Sequence, residues 1–89
     1  SPEEIAKERG VQSTTIYSHI ARLYIEDKIK DISVLVSPTQ IEKIRQSLSV
    51  VKSTDKLKPI YEGANGEVPY HLIRLALAHI EKETVHLQP

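Results

Sequence analysis

With 89 residues the chain has room for one domain with one modest core. It contains no Cys, Met, Trp or Phe and only four Tyr, which excludes a disulfide frame and a thiolate metal site and leaves Ile, Leu, Val and Ala to build a core suited to helix packing. Twelve basic residues balance twelve acidic ones, so charge in bulk argues against a strong nucleic-acid binder, and any phosphate-binding surface must come from local arrangement.

The opening SPEEIAKERG predicts a helix. Ser1 stands as N-cap, Pro2 at the first helical position, and Glu3 and Glu4 in the first turn, where they complement the helix dipole. Ile5 and Ala6 are its apolar positions, and Gly10 is placed to end it in a left-handed turn. Ser13 or Thr14 then caps a second helix running to about Glu26, with Ile16, Ile20 and Leu23 at i, i+4 and i+7 as its buried stripe. DKIKDISVLVSP fits either a short extended segment or a tight helical turn. SPTQ is a restart, with Ser37 as cap, Pro38 at the first helical position and Gln40 completing a capping box.

Ile41, Ile44, Leu48 and Val51 mark the buried face of that third helix, although one and a half heptads do not make a coiled coil. A short helix over about Asp55 to Glu62 carries Leu57, Ile60 and Tyr61, and GANG breaks the chain at Gly63 and Gly66. The last helix runs from near Pro69 to about Glu83. Tyr70, Ile73, Leu77 and Ile80 form one stripe, and Leu72, Leu75, Ala76 and Ala78 widen it, so this helix is either central to the domain or covered by another chain. The expected class is all-α, a helix-turn-helix unit over residues 1–36 followed by a small helical bundle over 37–83, about five helices in one compact domain, with 84–89 as a frayed tail.

The helix-turn-helix expectation rests on four positions. Ala6 is small where a second helix crosses closely, Gly10 permits the sharp turn, Val11 plugs it, and Ile16 begins the buried stripe of the second helix. Were that helix to lie in a major groove, its outward residues would be Gln12, Ser13, Thr14, Thr15, Tyr17, Ser18 and Arg22. The early hydroxyls and amides suit phosphate or base edges, and Arg22 suits a phosphate. Tyr17 either stacks on a base or bonds a phosphate, or else packs against a neighbouring helix. Short polar side chains discriminate bases poorly beside an Arg–guanine pair, so structure-guided or non-specific binding is expected.

Charge is unevenly spread. Residues 1–24 balance, whereas Lys43, Arg45, Lys52, Lys56 and Lys58 face only Glu42 and Asp55 within residues 41–60, and residues 61–83 lean acidic. Phosphate contacts are therefore expected from the first two segments, while a solvated charged surface explains the middle one equally well. His19 borders the buried stripe and is expected to be structural. A His79–Glu83 pair at i, i+4 is expected to be a surface contact rather than part of a metal site. GANG lacks the Lys-Ser/Thr ending of a phosphate loop. No catalytic or metal constellation stands out, so no enzyme activity and no cofactor are expected of this stretch. No apolar run reaches membrane-spanning length and no leader opens the chain, so no membrane partner is expected. Without a Met, the sequence reads as a piece of a longer cytoplasmic protein.

SPEEIAKERGVQSTTIYSHIARLYIEDKI resembles the helicase helix-turn-helix domain at the C-terminal end of bacterial RecQ-type DNA helicases. The resemblance continues through LKPIYEGANGEVPYHLIRLALA and covers about residues 1–80. Two differences are that the helix expected ahead of the motif is missing or cut off at Ser1, and that Lys28 stands in place of a glycine after the second helix. The resemblance implies a parent ATP-dependent helicase of 3′ to 5′ polarity, acting in recombination and repair in the bacterial cytoplasm on nucleoid DNA. ATP and magnesium are implied for that parent's motor. DNA, duplex or forked, and the rest of the helicase are the implied partners. The rival expectations are a protein-interaction module, dimerising through the apolar last helix, and the DNA-binding domain of a transcription regulator.

Overall fold

The computed structural model describes residues 1–51 and 56–87, with side chains through Glu83 apart from the gap. It consists of five helices, α1 (Pro2–Arg9), α2 (Ser13–Ile25), α3 (Pro38–Leu48), α4 (Leu57–Gly63) and α5 (Tyr70–Leu87), with no strand among the described residues. The all-α expectation holds. Asp55, the expected start of the fourth helix, and Lys52 lie outside the described residues, as do Gln88 and Pro89 of the expected tail.

Local chemistry sets most helix ends. Ser1 Oγ accepts from the Glu4 amide at 3.3 Å. Gly10 closes α1 at φ 68°, and the Val11 amide reaches back to the Ala6 carbonyl at 3.0 Å. The Ser37 hydroxyl accepts from the Gln40 amide at 3.1 Å while the Gln40 side chain accepts from the Ser37 amide at 2.9 Å, a complete capping box. At α2 the cap position is Gln12, in extended conformation and without a side-chain cap bond, so Ser13 is the first helical residue rather than the cap.

The exit from α2 explains how Lys28 stands where a glycine was expected. The left-handed residue is Asp27, at φ 63°, and the Lys28 amide bonds the Leu23 carbonyl at 2.8 Å. Asp is among the few non-glycine residues that tolerate this region. The ambiguous segment after it is a tight turn. The amides of Leu35 and Val36 share the Ile32 carbonyl, and Asp31 accepts from the Ser33 amide at 2.9 Å. Ile32 and Val36 enter the core from this turn.

α5 is the central element, packed against α2, α3 and α4. This accounts within one chain for its wide apolar surface. Ile73, Leu75, Ala76 and Ala78 are buried there, joined by Ile44 of α3, Ile60 of α4, and Ala64 and Val68 of the connecting turn. Each fully buried Ile or Leu contributes about 1.5–3 kcal/mol of transfer free energy. The α5 backbone stays helical to Leu87, past the expected end near Glu83.

The stripe assigned to α2 is displaced by one position. Tyr17, Ala21 and Tyr24 are buried, while Ile16, Ile20 and Leu23 are only half-buried. Ile5 (42%) and Val11 (43%) are exposed rather than packed. Ala6, at 3% exposure, is buried as expected of a crossing point.

Candidate nucleic-acid interface

α1, the Gly10 turn and α2 form the helix-turn-helix. Ala6 of α1 is buried, and the Tyr17 hydroxyl of α2 donates to Glu3 Oε1 of α1 at 2.7 Å, tying the two helices together. Burial, and then the Glu3 carboxylate beside it, push the Tyr17 hydroxyl up to about 12. The same bond holds the Glu3 carboxyl below its ordinary range. The Tyr17 ring also lies 4.5 Å, centroid to centroid, from His71 of α5. Tyr17 is 5% exposed, so it leaves the outward set and belongs to the core, where its ring buries area and its hydroxyl finds a partner.

The remaining sequence-derived residues occupy one end and one side of α2. Gln12, Thr14, Thr15 and Arg22 are exposed, and Ser13 and Ser18 are half-buried. Helical spacing puts Thr15, Ser18 and Arg22 on a common side that flanks the Tyr17–Ala21–Tyr24 stripe. His19 lies on that exposed side as well, not at the edge of the core. The displaced stripe is the cause: rotating the buried face by one residue moves Tyr17 in and His19 out.

The first turn of α2 contains no acidic residue, unlike that of α1, so its amide end keeps its partial positive charge. Among the described residues Arg22, Arg9 and Lys7 have no carboxylate partner. In the middle segment the surplus is partly consumed. Lys43 pairs with Glu67, and Arg45 reaches Glu83 at 2.8 Å and Glu42 at 3.0 Å. Lys56 and Lys58 are exposed and unpaired among the described residues.

The His79–Glu83 pair, expected as a surface contact, is one link in a longer chain. His79 Nε2 lies 2.7 Å from Glu83 Oε1, and its Nδ1 lies 3.1 Å from the Tyr24 hydroxyl. With Nε2–H donating to the carboxylate, Nδ1 is the acceptor for Tyr24, a tautomer inferred from the network. Arg45, and to a smaller extent His79, hold the Glu83 carboxyl below its ordinary range. The network joins α2, α5 and α3, and nothing in the sequence around His79 signals that Tyr24 and Arg45 belong to it. Among the described residues no group of three or more His, Asp or Glu is placed to hold a metal ion, and no helix is long and apolar enough to cross a membrane.

The chain is 30% identical, over 105 aligned positions, to the ATP-dependent DNA helicase Pif1 of Psychrobacter sp. (strain PRwf-1). That alignment covers 88% of this chain but only 16% of the relative's length. No solved structure matches. A family model described as a helix-turn-helix domain matches residues 1–77, which takes in the α1–α2 unit, α3, α4 and the first turns of α5. With that match spanning most of its length, the chain belongs to the helix-turn-helix domain family.

Proposed function

We propose that this chain is a DNA-binding accessory domain of an ATP-dependent DNA helicase, holding duplex or forked DNA with little sequence preference. The observation that carries the reading is the exposed side of α2, where Gln12, Thr14, Thr15, Ser18 and Arg22, which has no carboxylate partner among the described residues, adjoin a first turn that holds no acidic residue. Ser13 completes the set at the first helical residue. Phosphates suit the amide end and Arg22, and short hydroxyls give weak base discrimination.

Helicase parentage is supported by the relative named Pif1 and by the sequence resemblance. The RecQ type, 3′ to 5′ polarity and a role in recombination and repair on bacterial nucleoid DNA rest on the two resembling sequence blocks alone. ATP and magnesium are proposed for the parent's motor, and the rest of that parent is the proposed intramolecular partner.

Fluorescence anisotropy against single-stranded, blunt duplex and forked DNA at low salt tests the reading. Thr15→Ala combined with Arg22→Ala is expected to weaken duplex binding, to leave the helical circular dichroism intact, and to reduce the salt slope by about one. Absence of binding by the unaltered chain would overturn the reading in favour of a protein-interaction module. A strong preference for one duplex sequence would point to a transcription regulator instead.

A further inference from the structure

The exposed side of α2 continues into a groove. Ser18 and Arg22 line one wall of an open cavity of about 430 Å³, and Arg74 and Leu77 of α5 line the other, with Leu57 of α4 also contributing. The two helices run in parallel register, as Tyr17 meets His71, Tyr24 meets His79 and Asp27 meets Lys82. This register sets Ser18 and Arg74 toward one end of the groove and Arg22 near its middle. Glu26 and Glu81, which also line it, stand level with each other at the opposite end. Ala21, Ile25, Leu77 and Ala78 supply the apolar lining.

Arg74 lies in the acidic-leaning part of the sequence, yet it is exposed and has no carboxylate partner among the described residues. Arg22 is in the same state. Two guanidinium groups on facing walls of an apolar-floored groove, neither with a carboxylate partner among the described residues, suit a single phosphate. The glutamates at the far end repel a second phosphate, so a strand would cross the groove rather than run along it. Blunt duplex offers phosphates but keeps its base faces stacked, and gives the apolar floor nothing to cover. An unpaired nucleotide offers both a phosphate and an apolar ring face.

We propose that the α2–α5 groove holds one unpaired nucleotide of a forked or tailed DNA, its phosphate between Arg22 and Arg74 and its base over Ala21 and Leu77. The proposal rests on the DNA-binding reading above and extends it to a strand-separated substrate, with Arg74 as a contact outside the helix-turn-helix.

The test compares blunt duplex, forked duplex and single-stranded DNA of matched length, using the unaltered chain, Arg74→Ala and Arg74→Glu. The unaltered chain is expected to bind the fork more tightly than the blunt duplex. Arg74→Ala should weaken fork binding about tenfold, as loss of one charge-assisted contact does, and lower its salt slope by about one. Blunt-duplex affinity should be unchanged, and Arg74→Glu should weaken the fork further. Unchanged fork binding by both variants overturns the groove while leaving the α2 reading intact. An equal loss on blunt duplex and fork makes Arg74 an ordinary duplex contact and overturns the unpaired nucleotide. Arg74-dependent binding of a polyglutamate peptide without single-strand binding would assign the groove to an acidic protein partner. Failure of the unaltered chain to bind any DNA removes the underlying reading itself.

Discussion

The Tyr17 hydroxyl donates to Glu3 at 2.7 Å, tying the second turn of α2 to the first turn of α1 across the helix-turn-helix. The ring beneath it packs on His71 of α5, so one side chain connects all three helices. Tyr17→Phe keeps the ring and loses the bond, and is expected to lower the midpoint of thermal unfolding by a few degrees with DNA affinity little changed. Tyr17→Ala leaves a cavity at a nearly fully buried aromatic and is expected to cost about 3–5 kcal/mol. A thermal melt of the two variants separates the roles. A Tyr17→Phe variant that loses DNA binding while melting normally would return Tyr17 to the DNA-contacting set.

The same bond gives the fold two pH limits. Tyr17 ionises at about 12 in the folded chain against an ordinary 10.0, so the protonated form is favoured by folding. Its contribution is fully present below pH 10 and is lost as pH rises toward 12. Glu3 and Glu83 are shifted the other way, by the Tyr17 hydroxyl and by Arg45 respectively. Their contribution is present above the ordinary carboxylate value of 4.5 and is lost as pH falls below it. Urea midpoints measured across the range should form a plateau with both shoulders. Tyr17→Phe should flatten the alkaline one, and Glu83→Gln should reduce the acid one.

Two left-handed residues close the helices of the motif, and they differ in what they tolerate. A Cβ added at Gly10 meets no atom within 4 Å, so Gly10→Ala isolates the backbone term and is expected to cost about 1–2 kcal/mol. Asp27 has the same φ sign, and its carboxylate is 2.7 Å from Lys82 Nζ. Asp27→Asn keeps the tolerance for that conformation and weakens only the ion pair, whereas Asp27→Val loses both. Chemical denaturation should rank the loss for Val above that for Asn. Equal losses would mean that the Lys82 pair, not the backbone, selects Asp at this turn.

What could be read from the sequence follows the range over which each cause acts. The starts of α1 and α3, the capping box and the Gly10 turn were legible because a cap needs only residues within one turn of itself. The buried side of α2 was not. Ile16–Ile20–Leu23 and Tyr17–Ala21–Tyr24 share the same spacing one residue apart, and hydrophobicity alone ranks the Ile stripe first. Partners decided the choice, since Glu3 and His79 each satisfy a buried hydroxyl, and His79 lies 55 residues from Tyr24. The candidate DNA face inherited that error at Tyr17 and His19, while Gln12, Thr14, Thr15 and Arg22 stood out as exposed on either assignment. Arg74 gave no sequence signal because its neighbours in the groove belong to α2 and α4.

The junction that holds α4 against α3 also sets Leu57 beside the α2–α5 groove. Ser47 is buried and its hydroxyl donates to the Ile60 carbonyl at 2.8 Å. A Cβ built on Gly63 would stand 2.3 Å from Ser47 Oγ and 3.3 Å from its Cβ. Ala is the better helix former by roughly 0.5–1 kcal/mol, but an overpacked contact costs about 1–3 kcal/mol, so Gly63→Ala is expected to destabilise. Ser47→Ala should cost only about 1 kcal/mol, because the Ile60 carbonyl still accepts from the Ala64 amide at 3.1 Å. The double variant removes the clashing oxygen, and the sum of the single losses should then exceed the combined loss. A double-mutant cycle in urea measures that difference. Strict additivity would show that the close approach of Ser47 is not what keeps residue 63 a glycine.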